Sequence, residues 1–250
     1  MARARGLKKP AAARGRATRR QREVLARDKL IISALALIDE RGVSAVTMRG
    51  LAETVGVTPM ALYNHVSSKR DLLAAVADHV IGSADFDGKH SNWRAQVRHC
   101  FDVLRDLCLR HPGLPGLLEQ EGAAPPSVFA PMEATLRALG QAGLDQLNSV
   151  RTYFLLTTFT LGQAAYQTRG PIAGLEPSEQ IRSERLAGRG YTSTERLELP
   201  SEWDFDASFD FGITLIMNGV EATVALARAP TKRGTSRPRH SSGPGDKAST

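Results

Sequence analysis

Residues 47–66, TMRGLAETVGVTPMALYNHV, leave the backbone few choices. Leu51, Ala52 and Val55 recur at helical spacing and form one apolar face. Ala52 is small where a second helix must cross it. Gly56 follows, and a left-handed turn costs glycine nothing while it strains any residue with a Cβ. Thr58 is then placed to cap the next helix, and Pro59 fits its first position, where a missing N–H is harmless. Leu62 and Val66 face back toward the core. The pattern is helix, short turn, helix, and it predicts a helix-turn-helix. Thr58, Pro59, Met60, Ala61, Tyr63, Asn64 and His65 are left to form the outward and leading surface. A helix docked through its N-terminal part in a major groove presents such a surface to base edges.

The flanks complete a three-helix unit. Asp28 is placed to cap a helix on which Ile31, Ala34, Leu35 and Ile38 recur at helical spacing, and Gly42 to stop it. After the second helix of the motif, Ser67 or Ser68 begins another. Ser68 with Asp71 three residues on reads as a capping box, and Leu72, Leu73, Val76 and Val80 form the apolar stripe. With core, turn and cap positions agreeing, residues 28–82 resemble the DNA-binding domain of the TetR family of transcriptional regulators, on the segment IDERGVSAVTMRGLAETVGVTPMALYNHVSSKRDLL. The resemblance implies that Tyr63, His65 and Lys69 contact the phosphate backbone, with Thr47 and Arg49 in support. Thr58, Met60, Ala61 and Asn64 remain as base readers beside Pro59. It further implies a repressor that binds a palindromic operator in double-stranded DNA as a homodimer and is released by a small-molecule effector, with no cofactor.

Charge is spread unevenly along the 250 residues, whose formal net charge is +7. Residues 1–29 carry a net +9 and residues 230–250 a net +4, so the 200 residues between them are acidic, at −6. Both basic ends are rich in Ala, Gly, Pro and Ser, a composition that cannot build a core, and they read as disordered over 1–26 and 230–250. Directly before a DNA-binding unit, the N-terminal arm is expected to reach phosphates or the adjacent minor groove. No run of eighteen apolar residues occurs, so no membrane span is expected. Arg19 and Arg20 are followed by charged residues rather than the apolar stretch of an export signal, and a cytoplasmic protein is expected. Cys100 and Cys108 lie on an apolar helical face and read as buried, reduced thiols rather than a disulfide framework or zinc site.

Enzymatic readings find no support in spacing. The chain shows no glycine-rich phosphate loop, metal-ligand pattern or nucleophile elbow, so no catalytic or metal-binding residue is expected, and Asp39 with Glu40 reads as a solvated pair. The competing functional class is an architectural DNA binder that uses its basic ends without sequence preference. The recognition helix argues against it.

From Asn92 onward the signal is packing. Trp93, Val97, Cys100, Phe101, Leu104, Leu107 and Cys108 share one helical face. A turn with a short helix (112–118), a helix over 127–139 stopped at Gly140 or Gly143, and two long helices over 144–168 and 208–227 follow. The stretch 171–206 between the last two reads as a long loop with helical turns at 178–186. The chain as a whole is therefore expected to be all-α, with a DNA-binding domain over 27–82 and a helical-bundle domain over 83–229. This second region resembles the ligand-binding and dimerisation domain of the same family, in its tetracycline-repressor-like branch, through helix order and the Arg110–Leu114 segment RHPGL. That resemblance makes the last two helices a dimer seam, with Gly162, Ala165, Gly219 and Ala222 allowing close approach. Trp93, Phe101, Leu104, Met132, Leu136, Phe154, Thr157, Thr158 and Tyr166 form an apolar and hydroxyl-bearing set expected to line an effector pocket. His111 aligns with no drug-binding histidine and reads as a helix-end cap, so tetracycline is not the expected ligand.

Overall fold

The computed structural model describes residues 27–120, 125–169, 189–190 and 203–228. The basic ends and the expected helical turns at 178–186 lie outside the described residues, as does most of the long loop. Among the described residues every regular element is helical.

Helix α1 (27–41) buries Leu30, Ile31, Ala34, Leu35 and Ile38. Asp28 lies within this helix rather than capping it, because the helix already includes Arg27. Gly42 closes it at φ 78°, its N–H reaching the Ile38 carbonyl at 2.8 Å. A 3-10 turn (Val43–Ala45) leads to α2 (Met48–Val55), α3 (Pro59–Tyr63) and α4 (Lys69–Gly82). Leu51, Ala52, Leu62, Val66, Leu72, Leu73 and Val76 are buried in one cluster with the apolar face of α1. Ser68 caps α4 by accepting the Asp71 N–H at 3.1 Å. The Asp71 carboxylate reaches back to Ser67, accepting its N–H at 2.8 Å and its hydroxyl at 3.2 Å, one residue beyond the simple box.

Helix α5 (Trp93–Arg110) is the axis of the second region, followed by α6 (Leu114–Leu118), a 3-10 turn (Pro126–Val128), α7 (Phe129–Ala142), α8 (Gln146–Arg169) and α9 (Phe205–Arg228). Helix α7 runs through Gly140 and stops at Gly143, whose φ of 94° takes the left-handed conformation. Helix α9 starts earlier than its apolar pattern, because the Asp204 carboxylate accepts the Ala207 N–H at 2.8 Å and so caps it. Its Phe209, Ile213, Met217, Val220 and Val224 are buried. Three arginines of α5 hold its polar side: Arg94 to Glu221 at 2.7 Å, Arg98 to Asp210 at 2.5 Å and Arg105 to Asp206 at 2.6 Å. By length and composition alone α9 is apolar enough to cross a membrane, with a mean hydropathy of 1.3 over an eighteen-residue window, although Asp206, Asp210 and Glu221 interrupt its apolar run. The apolar residues on its outer side are described below.

Asp39 is not a solvated member of a surface pair. It is half-buried, and its carboxylate meets His111 Nδ1 at 2.8 Å and accepts the Gly113 N–H at 3.1 Å. This joins the end of α1 to the α5–α6 turn, where glycine is required by proximity. A Cβ on Gly113 would stand 2.4 Å from Ile38 Cγ2 and 2.6 Å from the Ile38 carbonyl oxygen. The buried residues of both regions form one continuous cluster across this junction. Cys100 and Cys108 are free and buried within it. Burial pushes the Cys100 thiol up to about 11, against a smaller opposing effect of the Thr135 hydroxyl, and the Cys108 thiol up to about 12.

Candidate nucleic-acid interface

Local chemistry sets the geometry of the α2–α3 hairpin. Thr47 caps α2, its hydroxyl accepting the Gly50 N–H at 3.0 Å. The helix ends at Gly56, which takes φ 76° and ψ 34°, and the Val57 N–H returns to the Ala52 carbonyl at 2.9 Å. A Cβ on Gly56 would meet nothing within 4 Å, so the demand for glycine there is torsional rather than steric. Thr58 then caps α3 by accepting the Ala61 N–H at 3.3 Å, with Pro59 in the first turn. Leu62 and Val66, each 2% exposed, anchor this segment from below.

The structure brings the ten sequence-predicted DNA contacts onto the start of α2, the turn and length of α3, and the start of α4. Thr47, Arg49, Thr58, Pro59, Met60, Tyr63 and Asn64 are exposed, while Ala61, His65 and Lys69 are half-buried. Arg49 makes an exposed ion pair with Glu53, one turn along α2, at 3.2 Å. Thr47 and Thr58 spend one hydroxyl lone pair each on capping, which the sequence anticipates for Thr58 and not for Thr47. Val57, which helical spacing does not single out, is also exposed, in the turn before α3. The large apolar side chain in a turn of otherwise small residues is the signal that marks it.

The nine residues expected to line an effector pocket are not all brought together. Phe101 and Leu104 are fully in the core, and Trp93, Met132, Leu136, Thr157 and Tyr166 are half-buried. Phe154 and Thr158 are exposed on the outer side of α8. Two recesses open between α8 and α9, of about 290 and 680 Å³, and none of the nine residues lines either. On α5 and α8, three buried side-chain polar atoms have no hydrogen-bond partner: Arg105 Nε, Thr157 Oγ1 and Thr160 Oγ1. The Arg105 guanidinium lies 4.8 Å from the centre of the Phe209 ring and donates to Gln167 Oε1 at 2.7 Å. Neither Arg105 nor Thr160 stands out in the sequence, since both look like ordinary helix residues.

The same outer side of α8 and α9 carries Leu147, Phe154, Leu155, Phe211, Leu215 and Leu226, each more than half exposed. Gly162, Gly219 and Ala222 lie exposed among them, and Ala165 is half-buried.

Comparison with known proteins gives this arrangement a family. Residues 30–76 match the family described as bacterial regulatory proteins, tetR family, and residues 87–224 match the tetracyclin repressor-like C-terminal domain. An HTH-type transcriptional regulator of Saccharopolyspora erythraea is 26% identical over 219 residues, covering 83% of this chain and 89% of its own. The TetR family protein ActR of Streptomyces coelicolor, solved in complex with actinorhodin, aligns with a TM-score of 0.66 at 26% identity, over 79% of this chain and 97% of that one. BioQ, solved with its natural double-stranded DNA operator, aligns with a TM-score of 0.55 at 25% identity, over 78% of this chain and 98% of that one. The family matches together take in the capped α2–α3 hairpin and most of the helical region behind it, and the chain belongs to the TetR family of bacterial transcriptional regulators.

Proposed function

We propose that the protein is a ligand-responsive repressor that binds a palindromic operator as a homodimer and leaves it when a small molecule binds. The observation that carries this reading is the doubly capped α2–α3 hairpin, which presents Thr58 to Asn64 on a short, exposed helix over a rigid core. Residues 27–82 act as the DNA-binding domain and 83–229 as the effector and dimerisation domain, with the basic stretches 1–26 and 230–250 outside them. Tyr63, His65 and Lys69, aided by Thr47 and Arg49, hold phosphates. Thr58, Pro59, Met60, Ala61 and Asn64 face the bases.

One recognition helix covers only a few base pairs, so symmetric half-sites are needed for specificity. The unpartnered apolar side of α8 and α9 supports that dimer, and it accounts for a helix as apolar as α9 without a membrane. Phe154 and Thr158 then belong to the seam. The inner set of Trp93, Phe101, Leu104, Met132, Leu136, Thr157 and Tyr166 remains the effector lining, joined by Arg105 and Thr160. A buried polar atom without a partner costs about 1 to 3 kcal/mol. The unpartnered atoms of Arg105, Thr157 and Thr160 support a ligand that offers hydrogen-bonding groups beside an apolar ring. The role needs no catalytic residue or cofactor, and a cytoplasmic location follows from it.

The test is selection of bound fragments from random-sequence DNA by the purified protein. A shared palindrome, bound by two chains, is expected. Equal recovery of all sequences would instead make the protein an architectural DNA binder.

A further inference from the structure

We infer that α3 and the turn before it read the half-site chiefly through the C5-methyl groups of thymine, with Met60 and Val57 as the contacting residues. The inference rests on the operator-binding reading above and names the base chemistry that this reading requires.

Met60 is 76% exposed and Val57 41% exposed, although both are residue types that folding ordinarily buries. Pro59, between them and also exposed, has no N–H to donate, and Ala61 adds only a methyl group. Hydrogen-bonding capacity across this surface is sparse. The Thr58 hydroxyl already accepts the Ala61 N–H, and Asn64 supplies the amide at the far end of the helix. Guanine is read by paired donors aimed at O6 and N7, and a surface of methionine, valine and proline offers none. The apolar feature of the major groove is the thymine methyl. Duplex DNA is also the occupant that suits the rim. Lys69 and Arg70 at the start of α4 set positive charge beside the apolar centre, where phosphates flank the groove, and Arg49 on α2 adds a guanidinium that shares its charge with Glu53.

The experiment uses the full chain and the duplex that it selects from random-sequence DNA. Each thymidine of one half-site is replaced in turn by deoxyuridine, which removes the methyl and leaves every hydrogen-bonding group in place. Affinity is read by fluorescence anisotropy at fixed salt. Removing a contacted methyl should weaken binding about fourfold, equivalent to about 0.8 kcal/mol. In Met60→Ala the difference between thymine and uracil should vanish at one position and persist at the others. Met60→Leu, which keeps the apolar bulk, should retain it. Specific binding that is indifferent to every uracil, or a selected half-site without thymine, overturns this inference and leaves operator binding standing. Failure to select any common sequence overturns both.

Discussion

Replacing Asp39 by alanine probes the junction between the DNA-binding helices and the effector region. In the native chain one carboxylate serves two partners, His111 Nδ1 at 2.8 Å and the Gly113 N–H at 3.1 Å. Gly113 is buried, so its N–H would lose its acceptor with little access to water. An unsatisfied buried donor costs about 1 to 3 kcal/mol. The His111 side chain is 24% exposed, so water can take over there, and that loss should be nearer 0.5 to 1 kcal/mol, roughly the net worth of one hydrogen bond. Asp39→Ala should therefore cost about 2 to 3 kcal/mol, while Asp39→Asn, which keeps an acceptor for Gly113, should cost about half of that. Gly113→Ala attacks the same junction sterically, because its Cβ would be driven into Ile38, and a loss of about 2 kcal/mol or more is expected. The two changes share partners, so their effects together should fall short of their sum. Urea unfolding followed by far-UV circular dichroism measures this as a lower midpoint at constant slope. A cost below about 0.5 kcal/mol for Asp39→Ala would refute the reasoning, since it would mean that water satisfies both groups equally well.

Tyr63→Ala and Lys69→Ala should weaken binding to operator and random duplex alike, whereas Asn64→Ala should lower operator preference by about 1 to 3 kcal/mol if the amide makes a bidentate base contact; competition titrations separate the two patterns. Deleting residues 1–22 removes nine positive charges. If three of them reach phosphates, the slope of log affinity against log salt should fall by roughly 3, and an unchanged slope would show that the arm does not touch DNA. Leu215→Glu together with Phe211→Asp places charge on the outer side of α9 and should give a folded monomer with little operator affinity, checked by sedimentation. Because burial holds the Cys100 and Cys108 thiols at about 11 and about 12, both remain protonated in the native protein at pH 8, and alkylation should be slow until denaturant is added. As pH rises past 9.0, the ordinary value of a thiol, the unfolded thiols ionise before the buried native ones, so stability falls through that window.

The α2–α3 hairpin is legible in the sequence because its determinants are local. Gly56 sets a backbone conformation, Thr58 and Ser68 cap helices within three residues of themselves, and Pro59 suits the position it occupies. Apolar spacing likewise places α5 and α8 close to their observed bounds. Asp39 is illegible for the opposite reason. Its partners lie 72 and 74 residues away, and nothing beside it distinguishes a bridging carboxylate from a solvated one. The same holds for Arg94, Arg98 and Arg105, whose acidic partners sit on α9 more than a hundred residues on. Phe154 and Thr158 fail as pocket residues in a related way. Apolar periodicity finds the two faces of α8, but a helix destined for an oligomer has an apolar outer face as well, and spacing alone cannot tell core from seam.

Sequence-specific recognition by a symmetric pair of α3 helices is the central claim, and its most direct measurement compares the selected palindrome with the same duplex scrambled, at one salt concentration. The account predicts binding at least about a thousandfold tighter to the palindrome, with a stoichiometry of two chains per duplex. Equal affinities for the two duplexes would contradict it.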